Sequence, residues 1–138
     1  MENEPIFLDT SFLVSYFNER DENHQKSVLL MEKIMGDAYG VFHISDYIFN
    51  ECVTVLLARI KNLQTVVAYG EDLKEGSRLI TVEKLDFDEA WNFFKHQKDT
   101  FLSFTDCLTA VLMKKYRIKY LATFDKEFSK LKEIFPVT

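Results

Sequence analysis

Phe101-Leu102-Ser103-Phe104-Thr105-Asp106-Cys107-Leu108-Thr109-Ala110-Val111-Leu112-Met113 is the stretch around which the rest of the chain arranges itself. Phe104, Cys107, Leu108, Val111 and Leu112 recur at helical spacing and give a helix from residue 103 to about 116 one packing side. Asp106 stands in its first turn, where a carboxylate beside an apolar face is half buried unless something cationic meets it. Ser103 supplies a local explanation, a capping box in which each side chain takes the other's backbone N–H. Lys114, Lys115, Arg117 and Lys119 crowd the far end, where they suit the helix dipole.

Working outward, Tyr120-Leu121-Ala122-Thr123 reads as a strand that ends in another acid, Phe124-Asp125. A last turn or helix is expected from 126 to about 134, finishing before Pro136. Upstream, Ala90, Trp91, Phe93 and Phe94 mark a helix that starts at Asp86 or Asp88, and residues 79–82 form a strand before it. Residues 63–73 read as a helix, with Gly70 and Gly76 blurring its end. Ser45 or Asp46 caps a helix to about 59, whose stripe is Ile48, Cys52, Val55, Leu56 and Ile60. Glu51 falls beside that stripe, a second misplaced acid. Residues 41–44 and the fully apolar residues 5–8 read as strands, the latter of the kind buried in parallel sheets. The first strand stops at Asp9-Thr10-Ser11, a polar loop occupies 18–23, and 24–35 is amphipathic. This alternation predicts an α/β fold, a three-layer α/β/α sandwich with a mainly parallel central sheet, as one domain over 1–138.

The length of 138 residues suits one domain, and 47% hydrophobic with 28% charged residues is the balance of a soluble globular chain. Thirteen Phe predict an aromatic-rich core or subunit interface. A net charge of −5 argues against a broad positive surface for nucleic acid, while a cluster of metal-binding carboxylates would account for much of it. Cys52 and Cys107 cannot build a disulfide framework, no segment resembles a signal peptide, and no apolar run approaches a membrane span, so the chain reads as cytoplasmic with no membrane partner.

Four acids stand out by position: Asp9 and Asp125 just after strands, Glu51 and Asp106 early on the inner side of helices. In parallel sheets, ligand crevices lie at the carboxyl ends of strands, where such positions converge. Clustered carboxylates repel one another unless a cation neutralises them, and an all-oxygen set suits Mg²⁺ or Mn²⁺ where zinc would want His or Cys. The chemistry this points to is metal-assisted phosphodiester hydrolysis.

Asp-Thr-Ser after the first strand, Glu early in a helix, Ser-Phe-Thr-Asp opening a late helix and Thr-Phe-Asp after the last strand together resemble the PIN-domain family. Within it, the chain is similar to the compact VapC-like toxins of type II toxin–antitoxin pairs. The resemblance spans nearly the whole chain and is strongest from Leu102 to Phe128. It implies Asp9, Glu51, Asp106 and Asp125 as metal-binding and catalytic acids, with Thr10 or Ser11, Thr105 and Thr123 as supporting hydroxyls. It further implies a Mg²⁺- or Mn²⁺-dependent endoribonuclease that leaves a 3′-hydroxyl and a 5′-phosphate. Such proteins are usually homodimers held in check by a cognate antitoxin.

Each acid has a structural alternative. Asp9 and Asp125 can cap the elements that follow them, and Glu51 can pair with Arg59 or Lys61. His24, His43 and His96 lack ligand or triad spacing, and the two cysteines are read as apolar packing. The basic cluster of residues 114–119 is read as a solvated helix end before an RNA track, and Arg59, Lys61 and Arg78 are weaker candidates for such a track still. A haloacid-dehalogenase phosphatase wants a second Asp where Ser11 stands, and a receiver domain wants a Lys where Asp125 stands. A PIN nuclease of RNA processing outside a toxin pair, and a non-catalytic PIN-like binding module, are the remaining alternatives.

Overall fold

The computed structural model describes residues 3–137, with the backbone alone at 37 and 38. Five strands, β1 (Ile6–Leu8), β2 (Phe42–Ser45), β3 (Arg78–Ile80), β4 (Tyr120–Ala122) and β5 (Phe135–Val137), form one sheet in the order β3-β2-β1-β4-β5. Every pairing is parallel. The six α-helices are α1 (Thr10–Phe17), α2 (His24–Lys33), α3 (Asp46–Ile60), α4 (Leu63–Gly76), α5 (Lys84–Lys95) and α6 (Phe104–Lys115). Ile6, Phe7 and Leu8 are all buried although successive strand residues face opposite ways, so the sheet is covered on both faces. That is the three-layer α/β/α arrangement expected.

Strand order places the site. From β1 the chain winds through β2 to β3 on one side, then crosses back through α5 and α6 to lay β4 on the other side of β1. The reversal opens a crevice at the carboxyl ends of β1 and β4. Asp9 follows β1 directly, its backbone N–H donating to the Ala122 carbonyl at 3.0 Å, and Thr123 to Asp125 follow β4.

Local chemistry sets the element ends. Ser45 caps α3 by accepting the Ile48 N–H at 3.0 Å, and α3 closes on Lys61 in the left-handed conformation (φ 57°). Ser103 accepts the Asp106 N–H (3.1 Å) and Asp106 takes the Ser103 N–H (3.2 Å), the capping box expected at the start of α6. Among the described residues no helix is long and apolar enough to cross a membrane.

Four expectations are corrected. The chain does not finish as a turn or helix before Pro136: a 3₁₀ turn over Lys126–Lys130 gives way to a fifth strand through Pro136 itself. A proline lacks the N–H that a central strand needs, and β5 lies at the sheet edge where none is required. Helix α2 stops at Lys33 and widens into a π-helical turn over Ile34–Ala38. Helix α4 continues through Gly70 to Gly76, beyond residue 73, and α5 starts at Lys84, ahead of Asp86. The phenylalanines divide: Phe7, Phe12 and Phe128 are fully buried, whereas Phe87, Phe94 and Phe101 stand exposed around α5 and the loop after it.

Candidate active site

Asp9 is the anchor of the crevice. It stands at the start of α1, yet its carboxylate makes no cap to that helix. Instead Oδ2 accepts the hydroxyls of Thr123 (2.7 Å) and Ser11 (2.9 Å), and the side chain is buried. Those hydroxyls lie 3.2 Å apart and each takes a backbone N–H from the loop after β4: Ser11 from Phe124 (3.0 Å), Thr123 from Asp125 (3.0 Å). The Asp-Thr-Ser and Thr-Phe-Asp segments are therefore one hydrogen-bonded knot. The alternative of Asp9 as a helix cap gives way to this knot, while Asp125 does cap, its Oδ1 taking the Glu127 N–H at 2.9 Å.

Asp9, Glu51, Asp106 and Asp125 line one open cleft of about 510 Å³. The pairing of Glu51 with Arg59 or Lys61 does not form: Arg59 reaches Asp21 instead, at 3.5 Å. Burial raises the Asp9 carboxyl above its ordinary range, opposed in part by the two hydroxyls. Asp106 is pushed up to about 7, first by burial and then by the charges of Asp9 and Asp125, so three acids from distant segments share one electrostatic site.

The supporting hydroxyls behave differently. Ser11 and Thr123 hold Asp9. Thr10 lines the cleft, and its buried hydroxyl has no hydrogen-bond partner in the protein. Thr105 does not line the cleft; its carbonyl accepts the Thr109 hydroxyl at 3.0 Å. Ser15, Asp21, Glu22 and Asn23, unforeseen from sequence, complete the cleft together with Arg59. Asp21 Oδ1 takes the Ser15 hydroxyl and the Asn23 N–H, both at 2.9 Å. The available signal was Ser15, one helical turn after Ser11 and so on the same side of α1.

Other groups drop out. His24, His43 and His96 each hold a main-chain carbonyl through Nδ1. Cys52 and Cys107 are free, buried thiols that burial pushes up to about 12 and about 11, so both stay protonated and serve as packing. Two of the four cations in the basic cluster are held in ion pairs, Lys115 with Asp86 and Glu83 and Lys119 with Glu4. A second cavity of about 520 Å³, between α5, α6 and residues 130–134, contains none of the four acids.

The donor chemistry fits a hard divalent cation: carboxylates, hydroxyls, and no His or Cys. Among the described residues no three His, Cys, Asp or Glu side chains already stand close enough together to hold an ion.

Fold and site define an α/β domain with a carboxylate-walled cleft at the switch point of a parallel sheet. The PIN domain family model matches residues 6–134, and the chain belongs to that family. It is 27% identical over 131 residues to Ribonuclease VapC1 of Aquifex aeolicus (strain VF5), covering 93% of this chain and 86% of that protein. It superposes on Mycobacterium tuberculosis VapC20, a Sarcin-Ricin loop cleaving toxin, with a TM-score of 0.80 and 23% identity over 92% of this chain and 95% of that one. With VapBC2 from Rickettsia felis, bound to a DNA fragment from their promoter, the TM-score is 0.68 at 15% identity, covering 96% and 97%. At these identities the structural likeness establishes the fold.

Proposed function

We propose that this PIN-domain chain is a Mg²⁺- or Mn²⁺-dependent endoribonuclease, the toxin of a VapBC-type toxin–antitoxin pair. The observation that carries this is the meeting of Asp9, Glu51, Asp106 and Asp125 on one cleft, with Asp9 and Asp106 raised by burial and by neighbouring carboxylates. Carboxylates so placed lack a cation from the protein, and a divalent ion is the natural one to supply. Asp9, Glu51, Asp106 and Asp125 would hold it, with the unpartnered Thr10 hydroxyl as a further oxygen. Such an ion, when bound, would supply Lewis-acid polarisation of the phosphate and a water of lowered pKa.

The chain's own work is positional. Ser11 and Thr123 fix the Asp9 carboxylate and keep it from rotating away. The Ser103 N–H does the same for Asp106. Hydrolysis leaves a 3′-hydroxyl and a 5′-phosphate. The relatives named as a ribonuclease and as toxin–antitoxin complexes support RNA as substrate and an antitoxin as partner, and the exposed aromatics of α5 suit a homodimer.

Comparing wild type with Asp106→Asn tests the reading, by Mn²⁺ titration and RNA cleavage, with circular dichroism as the folding control. Loss of both in a folded variant is expected. A folded Asp106→Asn that binds Mn²⁺ and cleaves RNA like wild type sinks the proposed site. Copurification of a small protein with a basic tail tests the toxin assignment.

A further inference from the structure

The cleft is walled by six acids, Asp9, Asp21, Glu22, Glu51, Asp106 and Asp125, and among its lining residues Arg59 is the single Lys or Arg. A polyanionic substrate entering such a cleft meets repulsion everywhere except at bound metal and at this guanidinium. We infer that Arg59 is a positioning residue that binds a substrate phosphate flanking the one cleaved. The inference rests on the ribonuclease reading and adds to it a binding subsite.

Helix α3 aims the side chain. Glu51, Val55 and Arg59 are spaced i, i+4, i+8 and all line the cleft, so one stripe of the helix forms its wall. At 1.5 Å per residue Arg59 stands about 12 Å along the axis from Glu51, far enough for it to meet a phosphate other than the one at the acids. Its present tie is weak: the Arg59–Asp21 separation is 3.5 Å and the guanidinium side chain is 55% exposed. The Asp21 side chain is 14% exposed, so solvent screens the pair from the arginine side. Asp21 is independently held by Ser15 and Asn23, so it keeps its place when Arg59 leaves. A guanidinium forks onto phosphate oxygens with two parallel hydrogen bonds, a stronger arrangement than a lone surface ion pair.

No other Lys or Arg is among the residues that line the cleft. Lys114 and Lys115 close the C-terminal end of α6, about 14 Å along that helix from Asp106, and Lys115 is committed to Asp86.

The test measures steady-state cleavage of a mixed-sequence, fluorescently labelled single-stranded RNA in Mg²⁺ at several salt concentrations. Arg59→Ala should raise KM about 10-fold with kcat within about 2-fold. Losing one phosphate contact should also reduce the slope of log KM against log salt by about 0.7. Arg59→Lys should restore the slope and only part of the KM, because a lysine keeps the charge and lacks the fork. Asp21→Asn separates binding from bracing: freed of its competitor, Arg59 should bind RNA as well as before or better, so KM stays or falls. If Asp21→Asn raises KM as Arg59→Ala does, Arg59 acts only as a loop brace and the inference is wrong. If wild type cleaves RNA and Arg59→Ala keeps the wild-type KM and slope, the phosphate subsite alone is overturned. If wild type does not cleave RNA while it binds Mn²⁺, the ribonuclease reading and this subsite fall together.

Discussion

Asp86 and Asp106 occupy the same local position on adjacent helices and end in opposite states. Each is the third residue of its helix and each takes the backbone N–H three residues earlier, from Glu83 at 2.9 Å and from Ser103 at 3.2 Å. Asp86 is 4% exposed and meets the Lys115 ammonium at 3.1 and 3.4 Å. Among the described residues Asp106 has no ion pair, and it faces the charges of Asp9 and Asp125, which help to push it up to about 7. The same capping motif thus yields a closed site where the fold brings a lysine and an open one where it brings more acids. An N-terminal helix acid is explained by what the tertiary structure sets against it.

Activity should separate the two most sharply. Asp106→Asn is expected to lower kcat/KM for RNA by at least about 10³-fold, since metal-derived stabilisation of the transition state is worth several kcal/mol. Asp86→Asn should leave it within about 3-fold. Equal losses in the two variants would break the comparison.

Stability should separate them in the reverse sense. Lys115→Met leaves the buried Asp86 carboxylate without its cation and is expected to lower the midpoint of chemical denaturation. Adding Asp86→Asn to that variant should recover part of the loss. For Asp106 the sign reverses: in metal-free protein at pH 8, Asp106→Asn should gain about 1–2 kcal/mol, because it removes an unneutralised carboxylate.

The pH dependence follows from the direction of the shift. The unfolded Asp106 ionises near 3.8 and the folded one near 7, so between those values the folded state holds the extra proton. The stability this contributes is complete below about 4 and is lost as pH rises through 7; Asp9, raised as well, adds in the same direction. Metal-free wild type should therefore melt at progressively lower temperature from pH 5 to 8, and Asp106→Asn less steeply. Millimolar Mn²⁺ should reverse the decline in wild type. A wild-type profile that is flat without metal would remove the electrostatic basis of the site.

The same pair shows what sequence discloses. Strand β1 was legible because four consecutive apolar residues ending in Asp-Thr-Ser leave little choice, and α6 because its stripe and capping box agree. The four acids were legible as positions following strands or opening helices. Lys115 as the partner of Asp86 was not, because that contact spans 29 residues and depends on how α5 and α6 pack. The far wall of the cleft was hidden for a like reason: residues 18–23 read as an ordinary polar loop, and nothing local says that Asp21 turns back onto Ser15 and across to Arg59. Strand β5 escaped because Pro136 argues against a strand everywhere except at an edge, and edge position is a property of the finished sheet.

The smallest expected effect isolates the cap from the site. Ser103 lines the cleft as well as capping α6, so its hydroxyl has two conceivable duties. Ser103→Ala removes the acceptor for the Asp106 N–H and should cost about 1 kcal/mol of stability, the usual value of an N-cap. The hydrogen bond that aims the Asp106 carboxylate comes from the main-chain N–H of residue 103, which alanine keeps. Activity should therefore fall by less than about 3-fold while the melting temperature drops by several degrees. The opposite pattern, an unchanged melting temperature with a tenfold loss of kcat/KM, would assign the hydroxyl to the substrate and leave the cap with no energetic role. Because the two readouts move independently, this one methyl-for-methylol change decides whether the motif shared with Asp86 is purely structural at Asp106 too.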